Sequence, residues 1–172
     1  IRSYSAETRT AKIGFILQEP FLFTGTIRDN ILYGNPCFAE LTNEELIREM
    51  EEVGLAGLLD RFDGGLDGKI DVTGEGISLG QKQIIAFIRA VIRRPDLLIL
   101  DEATANIDTV TEQLLDDILR KLPKTATQIV IAHRLNTIEN ADEIFFVNSG
   151  AVTKAGSMEE AVKLLMHQKR ES

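Results

Sequence analysis

The stretch from Leu97 to Glu102 constrains this chain most, because a wholly apolar run stops there abruptly in two carboxylates. Four aliphatic residues without polar alternation are typical of a parallel strand that is covered on both faces. In open α/β sheets, ligands bind beyond the carboxyl ends of such strands. Asp101 and Glu102 are therefore predicted to face a ligand crevice, where one can hold a metal ion and the other can activate water. The alternative is that the pair caps the following helix.

The length and composition are those of one soluble globular domain. The 172 residues can bury a core of their own, and 44% hydrophobic with 27% charged residues is ordinary for such proteins. A net charge of −8 disfavours broad binding to nucleic acid, which needs a cationic surface. Cys37 is the single cysteine, which excludes an intrachain disulfide and a thiolate metal cluster. No apolar segment approaches the length of a membrane span.

Alternating strands and helices in the second half predict a parallel sheet with helices on its faces. Buried strands are expected in the run at 97–102 and at 128–132, and a third β-like run covers 13–17. The remaining elements are helices after Thr26, from a Thr42–Glu45 capping box, from Ser78 to Pro95 and one that carries Leu115, Ile118, Leu119 and Leu122, mostly loop over 64–80, short strands at 143–147 and 151–154, and a last helix from a Ser157–Glu160 capping box.

Ser78, Gly80 and Gln81 stand at the entrance of the helix that ends at Pro95. A serine and bare backbone amides at a helix N-terminus form an anion site, because the amides lack partners and the helix dipole favours negative charge. The glycine loop at 74–76 favours this interpretation, since a ligand can approach such a backbone closely. The alternative is an ordinary capping box between Ser78 and Gln81.

Two further polar residues end apolar strands. His133 follows the strand at 128–132 and is predicted to emerge at the same sheet edge as Asp101 and Glu102, although a lone histidine there can also be structural. Gln18 ends the first strand, and its amide could contact a metal ion or an attacking water. A donor that faces two carboxylates across a crevice suits a site for phosphate and metal.

Taken in order, these segments resemble the nucleotide-binding domain of an ABC transporter over nearly the whole chain. Gln18 resembles the Q-loop glutamine, and residues 77–81 (ISLGQ) are similar to the family signature LSGGQ. The run at 97–102 resembles Walker B with its catalytic glutamate. Residues 105–108 occupy the D-loop position, and His133 resembles the switch histidine. The flanking words QEPFLF and DEAT are similar to those of the exporter branch.

The resemblance implies an α/β fold: a partial RecA-like P-loop ATPase core with a parallel sheet, plus a mostly helical subdomain. Residues 1–24 would be a remnant of the catalytic core that ends in the Q-loop. Residues 25–95 would form the helical subdomain with the signature motif, and residues 96–172 the second half of the core. The parent protein would sit at the cytoplasmic face of a membrane as part of a transporter, and the fragment itself would be soluble.

The resemblance also implies roles in ATP hydrolysis, with ATP and Mg²⁺ as the ligands. Asp101 would hold Mg²⁺, Glu102 would polarise the attacking water, Gln18 would sense the metal and the water, and His133 would contact the γ-phosphate. Such roles agree with the residue chemistry, because phosphoryl transfer depends mostly on positioning and charge neutralisation.

Two protein partners follow from the same resemblance, and no nucleic acid. A second nucleotide-binding domain would hold the ATP whose γ-phosphate meets Ser78, Gly80 and Gln81, with Asp108 across the dimer interface. A transmembrane domain would bind through the Q-loop and the helical subdomain. The segment at 21–23 would either form the groove for that domain or fill the core of the subdomain.

The sequence departs from the family pattern in three places. The phosphate loop G-x-x-x-x-G-K-[ST] is missing: Gly68-Lys69 is followed by Ile70, and Asp63 stands where the first glycine belongs. Because that loop precedes the Q-loop in the family, and the chain starts at Ile1 instead of Met, we expect a truncated domain that is inactive alone. Leu79 replaces the first glycine of the signature pair, and Ile84 stands where many members carry arginine.

Three alternatives compete with the ATPase module of a transporter. The chain could be a non-hydrolytic binding or regulatory piece that offers its signature surface to a partner subunit. An ABC-type ATPase of DNA maintenance is disfavoured, because no coiled-coil heptads interrupt the chain and its charge is acidic. A dinucleotide-binding domain is set aside, since the 74–76 loop lacks the third glycine and follows no clear strand.

Overall fold

The computed structural model describes residues 4–71, 76–101, 107–132, 141–148, 150–156, 159–160 and 162–163. The chain forms two compact units, Ile1–Ile131 and Ala132–Ser172. The predicted division at 24/25 and 95/96 within an ATPase core stays a prediction. None of the described helices is both long enough and apolar enough to cross a membrane.

The described part of the first unit contains the predicted helices and strands, together with a first helix and two short strands that the sequence pattern did not predict. In chain order its elements are α1 (Ala6–Lys12), β1 (Ile13–Ile16), β2 (Gly25–Thr26), α2 (Ile27–Leu32), α3 (Asn43–Val53), β3 (Lys69–Ile70), α4 (Leu79–Val91), β4 (Leu97–Asp101), α5 (Thr109–Lys121) and β5 (Thr127–Ile131), with 3-10 turns at Pro36–Phe38, Ala56–Arg61 and Gly65–Asp67. The α/β fold class is thereby confirmed.

The central sheet of this unit is parallel, with the strand order β1-β4-β5. Ile16 is paired with Leu100, and Asp101 is paired with Ile131. Asp101 therefore stands at the carboxyl edge of the middle strand, just beyond the last paired residue of β1. Gln18 follows β1, as the sequence predicts, and the parallel pairing places it at the same edge.

Over β1 and β4, one face of the sheet is buried and the other is not. Helix α4 lies close to β1, since a Cβ added at Gly14 would be 3.3 Å from the carbonyl oxygen of Ala90. On the opposite face Phe15, Ile99 and Ile129 share one register level, and Phe15 and Ile129 are exposed. The predicted burial of the strand at 128–132 is therefore wrong.

The strand is present as β5, but all five of its residues are exposed instead of buried. β4 is buried on one face and half-buried on the other. The physical reason is that, within the described residues, the helical layer covers one face, and β5 lies at the edge of the sheet. An apolar run thus identified each strand correctly while overstating how much of it is covered.

Capping boxes begin the helices where the sequence predicts them. Thr42 and Glu45 exchange both capping hydrogen bonds at the start of α3. Helix α4 buries most of its length, including Ile85 and Ile88 at 0% exposure. It ends before Arg94, which has a φ of 52°, and Pro95, which cannot continue a helix.

The second unit contains an antiparallel hairpin. Its strands are β6 (Ile144–Asn148) and β7 (Ala151–Ala155), which pair Ile144 with Ala155. The two short strands predicted here are therefore confirmed to within a residue at each end. The predicted capping box that starts at Ser157 lies outside the described residues.

Candidate functional site

A pocket of about 400 Å³ opens at the N-terminus of α4. Three segments that are distant in sequence meet there: the 3-10 turn at Ala56–Arg61, the first turn of α4, and the residues before α5. The lining residues are Arg61, Ser78, Gly80, Gln81, Ile84, Ile107 and Asp108. The structure therefore brings together Ser78, Gly80, Gln81 and Asp108, all of which the sequence nominates as site residues.

The first turn of α4 combines a capping box with a set of unpaired amides. The Ser78 Oγ accepts from the Gln81 amide at 3.1 Å, and the Ser78 amide donates to the Gln81 Oε1 at 2.9 Å. By helix geometry, the N–H groups of Leu79 and Gly80 have no acceptor within the helix. The capping box and the anion site are therefore compatible interpretations of this segment, because the cap orders a turn that still presents two amides to an anion.

Asp108 faces the pocket as the N-cap of α5. Its Oδ2 accepts from the Thr111 hydroxyl at 2.6 Å, and its Oδ1 accepts from the Thr111 amide at 3.1 Å. These hydrogen bonds hold the pKa of Asp108 below its ordinary value of 3.8, and the positive charge of Arg61 acts in the same direction. Asp108 is therefore a carboxylate at neutral pH, held in a defined orientation at the pocket wall.

Arg61 is a pocket residue that the sequence reasoning missed. Its side chain lines the cavity, and its carbonyl oxygen accepts from the Gln81 Nε2 at 2.8 Å. The contact fixes the side chain of Gln81 from both ends, since its Oε1 is held by Ser78. Nothing in the local sequence around Arg61 marks it, because its position depends on how the 3-10 turn folds back onto α4.

A second group of site residues gathers at the carboxyl edge of the sheet. Asp101 ends β4, and Gln18 follows the adjacent strand β1. Within the described ranges, no three histidine, cysteine or carboxylate side chains converge on one point. Glu102 and His133 lie outside the described residues, so their places in this group stay predictions.

The side chains at 21–23 differ in burial, which bears on the two roles that the sequence leaves open for this segment: an interface groove or filling of the core. Leu22 packs against the core, while Phe21 is 67% exposed. The ring of Phe23 lies 5.3 Å from that of Tyr33, which is 59% exposed. Phe21, Phe23 and Tyr33 are called the aromatic surface below. Core filling and surface display thus belong to different side chains of one segment.

A half-buried arginine supports the aromatic surface. Arg89 of α4 donates from Nη1 to the Phe21 carbonyl at 3.0 Å and from Nε to the Asn30 carbonyl at 2.7 Å. Its guanidinium carbon lies 5.7 Å from the centre of the Tyr33 ring. Burial lowers the pKa of Arg89, although its partners are carbonyl oxygens that favour the charged form. Helix α4 therefore carries the pocket at its start and this support near its end.

Comparison with known proteins places these features in a family context. The model of the ABC transporter family matches residues 1–105. The chain is 40% identical over 163 residues to an uncharacterized ABC transporter ATP-binding protein, YfiC, of Bacillus subtilis, with 95% of this chain and 26% of that protein covered. It is 38% identical to a fatty acid ABC transporter ATP-binding/permease protein of Mycobacterium bovis, with 93% of this chain and 25% of that protein covered.

Among solved structures, the chain is similar to a bacterial Atm1-family ABC exporter with ATP bound. The TM-score is 0.76 at 30% sequence identity, and the match covers 94% of this chain and 28% of the exporter chain. The chain thus spans about a quarter of the length of the relatives that it matches.

Proposed function

The chain belongs to the ABC transporter family, in its ATP-binding part, and from this premise we propose that it is the ATP-hydrolysing module of a longer exporter. In this proposal the module lies at the cytoplasmic face of a membrane and hydrolyses ATP to drive transport. The match to a solved exporter supports the direction of transport. The relatives are about four times longer than this chain, which leaves room for a membrane domain in the same polypeptide.

The pocket at the start of α4 is the observation that carries the proposal. It joins a serine hydroxyl and two helix N-terminal amides at the start of α4 with the oriented Asp108 carboxylate from a separate segment. The hydroxyl and the amides are donors that suit the terminal phosphate of a nucleotide, whereas the carboxylate can only accept. We assign Ser78, Gly80 and Gln81 to the γ-phosphate of an ATP held by a second nucleotide-binding domain, and Asp108 to the dimer interface.

The carboxyl edge of the sheet suits the metal and water chemistry of the same reaction. A carboxylate oxygen such as that of Asp101 is a ligand that Mg²⁺ accepts, usually with several waters retained. The bound ion would neutralise charge on the phosphates. We assign the metal to Asp101 with Gln18, the polarisation of water to Glu102, and a γ-phosphate contact to His133.

The two proposed partners use different surfaces. The missing phosphate loop means that these residues cannot cradle the β- and γ-phosphates by themselves, so nucleotide must be held by a loop elsewhere. The transmembrane domain is assigned to the aromatic surface, because exposed aromatic side chains on a rigid support are typical of protein interfaces.

Replacing Ser78 by aspartate tests the pocket in the longer transporter. Aspartate is as good an N-cap as serine, so α4 should keep its start and the protein its stability. Its negative charge should repel a γ-phosphate, and we expect ATP turnover to fall at least about tenfold, as for the loss of one charge-assisted contact. Turnover is measured by phosphate release and stability by thermal unfolding.

The matched control is Ser5→Asp, the same change at the N-cap of α1. It should leave turnover unchanged. If Ser78→Asp retained normal turnover with a normal stability, the proposed phosphate contact would be wrong. If both variants lost turnover equally, a general charge effect would explain the result instead.

A second candidate function is favoured by the missing phosphate loop and by Leu79. The chain would then be a non-hydrolytic binding or regulatory piece that offers its signature surface to a partner subunit. Leu79 projects at the first position of α4 with 38% exposure, where the resembling signature has glycine. Calorimetry with Mg-ATP on the isolated chain tests whether it needs a partner to bind nucleotide. Tight stoichiometric binding would show that it does not.

A further inference from the structure

A buried glutamine in α4 has no role in the site described above. Gln83 lies about one and a half turns after Ser78 and is 1% exposed. Its neighbours in the helix, Ile84 to Ile88, belong to the apolar core. A primary amide in such a place lowers stability unless both of its ends are hydrogen-bonded.

Only one end of the Gln83 amide has a partner within the described residues. Its Nε2 donates to the carbonyl oxygen of Gln18 at 3.2 Å. Its Oε1 is buried and accepts no hydrogen bond there. The carbonyl of Gln18 can only accept, so the amide must turn its NH₂ group toward Gln18 and leave the oxygen inside the core.

The paths of α4 and β1 explain why this contact falls at the carboxyl edge of the sheet. Ala90 lies beside Gly14, and Gln83 lies beside Gln18, so the helix runs antiparallel to the strand. Seven helical residues rise about 10 Å and four strand residues span about 13 Å, so the two stretches have comparable lengths. Gln83 therefore reaches the main chain at the point where β1 ends.

We propose that Gln83 is a positioning residue, which holds the main chain at Gln18 in register with the first turn of α4. The proposal rests on the function proposed above, in which Gln18 contacts the metal and α4 contacts the phosphate. Through Gln83 one helix positions both groups. An apolar side chain would fill the same space without an unpaired oxygen, so a glutamine here serves position more than stability.

Gln83→Met separates the contribution of Gln83 to main-chain position from its contribution to stability. Methionine has a similar length and removes the donor together with the unpaired acceptor, so unfolding in urea should show equal or higher stability. Losing the bond should free the main chain, and we expect amide hydrogen exchange at Gln18, Glu19 and Phe21 of this chain to accelerate about three- to tenfold, since Pro20 has no amide hydrogen. In the longer transporter, the Mg²⁺ concentration for half-maximal ATP turnover should rise, with little change in the requirement for ATP.

Gln128→Met is the matched control, because the Gln128 Nε2 also donates to a main-chain carbonyl, that of Leu119, at 2.9 Å. It should leave exchange at 18–21 and the Mg²⁺ requirement unchanged. Gln83→Leu provides a second apolar variant if the methionine variant fails to fold.

Two results would overturn the positioning role. One is unchanged exchange at 18–21 in a folded Gln83→Met chain. The other is a loss of turnover that follows a loss of stability, with the Mg²⁺ requirement unmoved. A failure of the proposed function would give a different pattern. Gln18→Ala would then leave turnover intact in the longer transporter, while amide exchange at 18–21 would still accelerate in Gln83→Met.

Discussion

At the scale of single residues, Gly14 limits how closely helix and sheet can pack. A Cβ at this position would lie 2.8 Å from the Leu98 Cδ1, in addition to its approach to the Ala90 carbonyl. Both neighbours belong to the layer between α4 and the sheet, and the carbonyl is part of the helix backbone. An added methyl group must therefore shift Leu98, the helix, or both.

Gly14→Ala should lower the free energy of unfolding by about 1–3 kcal/mol, the usual cost of overpacking a core. Urea denaturation followed by circular dichroism measures it. The control is Gly57→Ala, because a Cβ there would meet no atom within 4 Å, and it should change stability by less than about 0.5 kcal/mol. Equal effects of the two variants would mean that α4 does not lie as close to β1 as described.

Residues also show where local sequence is informative. Ser78 and Gln81 are recognisable because they form a capping box three residues apart, and Asp108 is recognisable through the resemblance of 105–108 to the D-loop. Arg61 and Gln83 are not, because their contacts join segments well separated along the chain. A pattern of neighbouring residues contains no information about such contacts, which depend on the packing of whole elements.

At the scale of elements, capping makes the stability of the helices depend on pH. The Glu45 carboxylate accepts from the Thr42 amide at 2.8 Å, and this hydrogen bond lowers the pKa of Glu45 from its ordinary value of 4.5. As pH falls, the unfolded chain therefore takes up the proton first. The contribution of this cap is complete above the ordinary pKa and is lost as pH falls through the folded value.

Glu45→Gln should make the melting temperature less sensitive to acid. Glutamine can still complete the capping box, but it has no charge to lose or to interact with the helix dipole. We expect a smaller difference in melting temperature between neutral pH and pH about 3 than in the unaltered chain. Glu44→Gln removes a carboxylate from the same helical turn without touching the cap, and the same flattening there would contradict the assignment to Glu45.

Helix α4 connects more of the described features than any other described element. Its first turn forms the pocket, Gln83 contacts the end of β1, and Arg89 holds the carbonyl of Phe21. Movement of this helix would therefore be felt at the proposed phosphate, metal and membrane-domain contacts together. This is the element through which the proposed function would link ATP hydrolysis to a membrane partner.

At the scale of the whole molecule, the open face of the sheet is the most unusual feature of the first unit. Phe15, Leu17, Ile129 and Ile131 are exposed, at 46–48% each. Single exposed apolar side chains are ordinary, but a contiguous group on a sheet marks a surface that associates or is covered. The isolated chain should accordingly bind apolar dyes and associate with itself.

Phe15→Ser combined with Ile129→Thr should reduce both effects severalfold, because it removes the two largest apolar contributions at one register level. Dye fluorescence and sedimentation velocity measure them. Val110→Ser is the control, since Val110 is 67% exposed on α5, away from the sheet. An equal reduction by this control would show that general surface hydrophobicity, and not this face, is responsible.

The sequence by itself determined most of the strands and helices, two of the capping boxes and the family to which the chain belongs. These depend on hydrophobic periodicity and on hydrogen bonds that span a few residues, which are legible in a linear pattern. It also predicted that Gln18 follows the first strand and that Asp101 ends another, and both lie at one sheet edge because the two strands are parallel.

Only the tertiary structure decided which faces are covered and which distant groups meet. The apolar run at 127–131 is exposed because burial depends on what packs against a strand, while its composition shows only that it can be buried. Likewise, Arg61 joins the pocket and Gln83 reaches Gln18 because a turn and a strand pack on α4. The strand β4 is thus identified by its sequence, while the packing around it determines what Asp101 at its end can reach.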